Sequence, residues 1–344
     1  MKKQNLINLI RYHVEKNDEA FVDEAAQIAR DFDANGDEST AQYIMELISD
    51  ASYYIPQTSY NNLKYMSKLK YSSKPLLLPN AIEEDIIGVT KAINKKMGMS
   101  KFLFYGAPGS GKTESAYQIA RMLDRDVLSI NFEQLIDSRL GETSKNVVKL
   151  FDEINHLPYE KTVVLFDEID SLVLDRVNNN DLREMGRVTS VFLKELESVN
   201  DNIIIIATTN LISNFDKAIL RRFDATISFD RYSRDDLVEI ANSILKDNLR
   251  NIKSARMNTR LFKKILLNTD VIPYPGDLKQ IIKSAVAFSD ESYEYDYLRK
   301  IYIALNDASD SMDIKKLSAQ GYTTREIEIL SRIPKSSVSR KLRS

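Results

Sequence analysis

Apolar residues recur three and four apart through the first fifty positions. "LINLIRYHV", "FVDEAAQIARDF" and "STAQYIMELISDA" each carry one such stripe, which predicts three helices over residues 1–51. "ANGDEST" between the last two is turn chemistry, with Ser39 or Thr40 as N-cap. No catalytic cluster lies there, so the module is expected to dock a protein substrate or partner. Residues 52–75 form a connector rich in tyrosine and lysine, expected to pack on its neighbour as a linker; stacking on nucleic acid bases is the other use of such residues.

From about residue 76 the period changes. "KFLFYG", "DVLSIN", "TVVLFD" and "NIIIIATT" are short runs of Val, Ile, Leu and Phe separated by helical stretches. Continuous apolar runs of this length predict parallel strands buried on both faces. An α/β core is therefore expected over 76–232. From Ser233 the strand signal stops and helices continue through 233–312 and a tail at 313–344.

Composition narrows the picture without changing it. A hydrophobic fraction of 43% and a charged fraction of 28% over 344 residues describe a globular protein of two or so domains. With no cysteine there are no disulfides or thiolate metal sites, and a reducing cytoplasm is the expected compartment. Two histidines, His13 and His156, make a histidine metal centre a poor expectation. No apolar run approaches the roughly 20 residues that span a bilayer, so no membrane role is expected. The net charge of −2 is unevenly spread: residues 1–50 carry −6 and residues 313–344 carry +5.

The chemistry concentrates in "YGAPGSGKT". Gly106, Gly111, Lys112 and Thr113 satisfy G-x-x-x-x-G-K-[ST] between a strand and a helix, the context that this Walker A motif requires. Pro108, Gly109 and Ser110 complete the loop and Glu114 follows it. Such a loop wraps its backbone N–H groups around phosphate oxygens, aided by the helix N-terminus. Lys112 is expected on the β- and γ-phosphates and the Thr113 hydroxyl on Mg²⁺. "TVVLFDEID" supplies the Walker B complement: Asp167 would hold Mg²⁺ and Glu168 would polarise the attacking water, both at the carboxyl end of a strand.

With these two motifs the chain resembles the AAA+ ATPases, in the AAA clade of katanin, spastin and the membrane-bound AAA proteases, from about Leu76 to about Asp307. The resemblance implies a P-loop NTPase sheet of order 5-1-4-3-2 with a helical lid over 233–312, and a homo-oligomeric, hexameric ring that hydrolyses ATP. "IIIIATTN" resembles the sensor-1 strand, implying Asn210 near the γ-phosphate. "FDKAILRRFDATISF" resembles the arginine-finger segment, implying that Arg221 and Arg222 reach a neighbouring subunit's nucleotide. "FEQLIDSRLGETSKNVVKLFDEI" is similar to the pore-loop segment, but Arg139 and Leu140 stand where polypeptide-threading members carry an aromatic-hydrophobic pair. "VNNND" falls on a second pore-facing loop. "DIIGVTKAI" is similar to the segment whose backbone near Ile87 and Gly88 meets adenine. "YPGDLKQIIKSA" is similar to the start of the sensor-2 helix, with Lys279 where some relatives have arginine; an exposed helical lysine is the plain alternative.

In the tail, "TTREIEILS" and "KSSVSRKL" joined by "RIP" resemble a helix-turn-helix. Ile327, Ile333, Val338 and Leu342 would form its core and Lys335, Ser336 and Ser337 would begin its second helix. Glu328 and Arg332 depart from that pattern. Packing on the lid is the competing reading. Three functions follow: an ATP-driven remodeller of macromolecules, protein rather than nucleic acid; an ATP-regulated DNA-binding protein acting through residues 313–344; or a regulatory ATPase partner of a separately encoded protease.

Overall fold

A computed structural model describes residues 3–15, 17–34, 36–50, 63–69, 77–136, 141–170, 182–250, 252, 255–306 and 312–343. Three helices open the chain: α1 (Lys3–Val14), α2 (Asp18–Ala34) and α3 (Glu38–Asp50). The core comprises β1 (Met66–Lys68), α4 (Asn80–Asn94), β2 (Lys101–Tyr105), α5 (Lys112–Met122), β3 (Asp126–Ile130), α6 (Phe132–Leu135), α7 (Glu142–Asn155), β4 (Thr162–Phe166), α8 (Leu182–Ser198), β5 (Ile204–Thr209), α9 (Lys217–Leu220) and β6 (Ala225–Ser228). A helical bundle follows: α10 (Arg234–Leu249), α11 (Thr259–Asn268), α12 (Pro275–Ala287) and α13 (Asp296–Asn306), then α14 (Ile314–Ala319), α15 (Thr324–Ser331) and α16 (Lys335–Arg343).

The sheet order is β1-β3-β4-β5-β2-β6. Counting only its parallel strands in chain order gives 5-1-4-3-2, the order expected of a P-loop NTPase. The expectation of an all-parallel sheet is corrected at one edge. The connector contributes β1, which pairs antiparallel with β3 through Met66↔Ile130 and Lys68↔Leu128. Its anchors explain the pairing. Tyr65 and Met66 are buried, the Tyr65 hydroxyl donates to Asn146 Oδ1 at 3.0 Å, and the backbone N–H groups of Lys64 and Tyr65 donate to the Glu153 carboxylate. The added strand covers an edge that would otherwise expose unpaired backbone groups.

Side chains alternate across the sheet, as the two-residue strand period requires. Leu103, Leu128, Val164, Phe166, Ile205 and Ala207 pack towards α7 and α8. Phe102, Phe104, Val127, Val163, Leu165 and Ile206 pack towards α4 and α5 on the other face. A separate core fills the bundle, and the tail shares it: Ile327, Leu330 and Val338 are buried in one cluster with Phe262, Tyr297 and Ile301, and Ile333 and Leu342 pack against that cluster. Two capping boxes fix helix starts there, Ser233 with Asp236 ahead of α10 and Thr323 with Glu326 ahead of α15. Arg332 closes α15 in a left-handed conformation, φ 58°. Its guanidinium bonds Asp296 at 2.7 Å and Asp290 at 3.3 Å, which ties the turn to the bundle. Among the described residues no helix is long and apolar enough to cross a membrane.

Candidate functional site

The chain leaves β2 at Gly106, whose φ of 148° favours glycine. A Cβ at this position would lie 2.9 Å from Asp230 Oδ1 and 3.1 Å from Phe229, so a side chain here would displace the end of β6. The loop turns through Gly109 and Gly111, and α5 begins at Gly111 without a side-chain cap. The orphan N–H groups of a helix's first turn favour an anion. Asp230 supports the loop by accepting the Ala107 N–H at 2.7 Å, and the Tyr232 hydroxyl donates to the Ser110 carbonyl at 2.6 Å. Burial pushes the Tyr232 hydroxyl well above its ordinary pKa, aided by Tyr274 and Asp236, so it stays a donor.

Lys112 is buried, and its ammonium donates to the carbonyls of Gly106 and Ala107, each at 2.9 Å, and to Asn210 Oδ1 at 2.7 Å. Burial lowers its pKa, while Asp230, Asp167, Asp170 and Glu168 oppose that shift. Beside it, Asp167 Oδ1 accepts the Thr113 hydroxyl at 2.8 Å and the Thr208 hydroxyl at 2.6 Å. Thr208 also accepts the Glu168 N–H at 2.9 Å, and its carbonyl accepts the Ile169 N–H at 2.9 Å. These bonds hold Glu168 at a φ of 54°, a left-handed conformation that costs a non-glycine residue roughly 1–3 kcal/mol and recurs at functional sites.

The loop, the strand ends and the bundle enclose a cleft of about 750 Å³. Pro108, Gly109, Gly111, Lys112, Thr113, Glu114, Asp167, Glu168, Asn210 and Lys279 all line it. Gly106 and Ser110 lie behind that surface, contributing carbonyls to Lys112 and Tyr232. Gly88 is not brought to the cleft. It sits within α4, where an added Cβ would meet nothing within 4 Å, and Leu77 lines the cleft instead. Arg221 and Arg222 are also outside their own cleft: Arg221 is exposed and Arg222 pairs with Glu197 at 3.1 Å. Arg139, Leu140 and the "VNNND" loop lie outside the described residues.

Several contributors were missed. Thr208, Ile240, Ile244, Asp247 and Asn248 line the cleft, the last four from α10, and Asp230 and Tyr232 brace the loop. One signal was available for Asp230: a carboxylate two residues past the end of β6, on the carboxyl side of the strands where α/β proteins bind ligands.

The donor set fits a nucleoside triphosphate with a hard divalent cation. A lysine and uncapped helix N–H groups suit phosphates. An aspartate and a threonine hydroxyl 2.8 Å apart are oxygen donors of the kind magnesium takes. Leu77, Ile240 and Ile244 offer an apolar wall for a base.

Comparison with known proteins finds an ATPase family. The family model described as ATPase family associated with various cellular activities (AAA) matches residues 102–231. An uncharacterized AAA family ATPase, y4kL of Sinorhizobium fredii, is 38% identical over 132 residues, covering 38% of this chain and 39% of the relative. The chain therefore spans well under half of that relative's length. Cell division protein C of Sulfolobus acidocaldarius is 26% identical over 284 residues, covering 79% of this chain and 71% of the relative. Among solved structures, the FIGL-1 AAA domain in complex with ADP superposes with a TM-score of 0.54 at 18% identity, covering 75% of this chain and 91% of that one. That last likeness is one of fold.

Proposed function

We propose, for a chain whose residues 102–231 place it in the AAA family of ATPases, that it binds Mg-ATP in the cleft between sheet and bundle and hydrolyses it within a ring of identical subunits. The observation carrying this reading is the convergence of Lys112, Thr113, Asp167 and Asn210 through direct hydrogen bonds at the carboxyl edge of the sheet. Residues 1–51 serve as a docking module and 52–75 as its linker. Residues 76–232 are the ATPase core, 233–312 its lid and 313–344 a basic tail.

In this scheme the loop from Gly106 to Glu114 cradles the triphosphate, and Lys112 exchanges its loop carbonyls for phosphate oxygens. Thr113 and Asp167 would hold magnesium, which would supply charge neutralisation for the phosphates. Glu168 takes the proton of the attacking water, and Asn210 positions that water beside the γ-phosphate. Lys279 approaches the phosphates from the bundle. Arg221 and Arg222, which do not line their own cleft, complete a neighbour's. Hydrolysis then depends on assembly, because guanidinium groups supplied in trans stabilise the charge that builds on the transferred phosphoryl group. The ring, hexameric in this reading, uses turnover to remodel a protein recruited through the N-terminal module.

ATPase turnover per subunit, measured against protein concentration, is expected to rise steeply and plateau as rings form. Glu168→Gln is expected to retain ATP binding while losing at least about 100-fold in turnover. Parental turnover in that variant, or turnover independent of concentration, overturns the assignment.

A further inference from the structure

We propose that the tail, α14 to α16, is a docking face for duplex DNA, with α16 as the element that enters the major groove. The inference concerns a surface that contributes no residue to the lining of the nucleotide cleft, and it stands independently of the ATPase reading.

The charge of the tail is sorted by side. Residues 313–344 contain 8 Lys/Arg and 3 Asp/Glu. All three carboxylates are spent on backbone N–H groups at helix starts. Asp313 accepts from Lys315 at 2.8 Å, Glu326 from Thr323 at 2.8 Å, and Glu328 from Lys335 at 2.9 Å. Glu326 additionally holds Lys264 of the bundle at 2.7 Å. One basic residue, Arg332, is bound inward to Asp296 and Asp290. The remaining basic side chains, Lys335, Arg340 and Arg343 among them, are exposed.

Their placement on α16 is the second observation. Val338 is buried and Leu342 packs inward one turn later, so the opposite face looks outward. Ser336, Arg340 and Arg343 recur four and three apart along it and are exposed, while Lys335 stands exposed at the first position of the helix. Basic groups and hydroxyls on one exposed face are the groups that contact phosphates and base edges. Helix α16 packs on α14 and α15, which leaves it as the outer member of three short helices. Only Arg332, Ile333 and Pro334 separate α15 from α16, the short connection of a helix-turn-helix.

The same face argues against other polyanions. An anionic bilayer is bound by helices that bury apolar side chains beside their charges. Among the described residues, no large apolar side chain of the tail is exposed. The A-form RNA duplex has a major groove too deep and narrow for side chains to read, whereas the B-DNA groove, about 12 Å wide, admits a helix.

The test is fluorescence anisotropy of the full chain with a labelled 25-base-pair duplex DNA across a salt series, alongside the triple variant Lys335→Ala, Arg340→Ala, Arg343→Ala. The parent is expected to bind with a steep salt dependence. The variant is expected to bind at least about 30-fold more weakly at 100 mM salt, with a log–log slope shallower by about 3, since each lost phosphate contact removes close to one counterion. Its ATPase rate and melting temperature are expected to match the parent, and Lys335→Arg with Arg340→Lys and Arg343→Lys should restore the slope. Parental DNA affinity in the alanine variant, no DNA binding by the parent, or tighter parental binding to duplex RNA or phosphatidylserine vesicles overturns the proposal.

Discussion

The backbone N–H of Gly276 donates to the carbonyl oxygen of Gly109 across 2.8 Å, so the first turn of α12 rests directly on the phosphate loop. A Cβ on Gly276 would fall 2.7 Å from the Gly109 Cα, closer than real Cβ atoms approach, and that neighbour is backbone that cannot swing aside. Gly276→Ala must therefore lift the bundle from the loop. Misplacement on the scale of an ångström is expected to cost about 10- to 100-fold in ATPase kcat/KM. Gly88→Ala is the contrasting change. Its methyl meets nothing within 4 Å in the middle of α4, so activity should hold while stability rises by about 0.5–1 kcal/mol. Steady-state kinetics and thermal unfolding of the two variants check both halves.

Thr208 makes a second prediction. Its hydroxyl donates to Asp167 and accepts from the Glu168 N–H, so one oxygen orients the proposed magnesium ligand and the proposed base together. Thr208→Val keeps the shape and removes both bonds, leaving two polar groups to find other partners at about 1–3 kcal/mol each. Turnover is expected to fall by about 10-fold or more, and the magnesium concentration at half-maximal rate to rise. Such a paired effect separates orientation of Asp167 from general destabilisation, which would leave the magnesium dependence unchanged.

The residues legible in the sequence are those whose role is local. Gly106 to Thr113 carry their context with them, a strand before and a helix after, and Asp167 with Glu168 closes an apolar run. Thr208 was hidden because threonine is ordinary in a strand. Only the register Phe166↔Ala207 sets it beside Asp167. The contacts of Asp230 and Gly276 with the loop were hidden for the same reason: their partners, Ala107 and Gly109, lie far away in the chain and meet them only after the sheet closes and the bundle docks. Strand β1 has three residues and no apolar run. It exists because Tyr65 and Met66 find a buried slot against β3 and α7, a tertiary effect that periodicity does not carry. Gly88 is the opposite case, a short local match that the path of α4 leaves away from the cleft.

Tyr232 links the end of the sheet to the start of α10, and its ring meets Tyr274 edge to face at 5.7 Å. Its hydroxyl bond to the Ser110 carbonyl is the one feature that Tyr232→Phe removes, since the ring and its packing remain. The expected result is a rise of about 3- to 10-fold in KM for ATP, from losing a net hydrogen bond of about 1 kcal/mol, with kcat little changed. Tyr274→Phe, which gives up only the longer 3.4 Å contact with Asp230, should have the smaller effect. Equal KM values for parent and Tyr232→Phe would show that the loop holds its shape without this brace.

Acid should loosen the junction between tail and bundle through Glu326. Burial alone would raise its carboxyl pKa, but the Lys264 ammonium 2.7 Å away and the Thr323 N–H and hydroxyl outweigh burial and hold it below the ordinary glutamate range. A carboxyl depressed on folding contributes stability that is complete above its unfolded pKa and disappears as pH falls through the folded one. Glu326→Gln loses the charge-assisted contact and is expected to cost about 1–2 kcal/mol at neutral pH. As pH drops through the glutamate range the difference between parent and variant should shrink towards zero, because the parent carboxyl is then neutral too. Urea midpoints followed by circular dichroism at pH 7 and again near the acid limit of folding read this directly. A gap that stays constant with pH would mean that Glu326 acts there as a neutral cap of α15 and not through its charge.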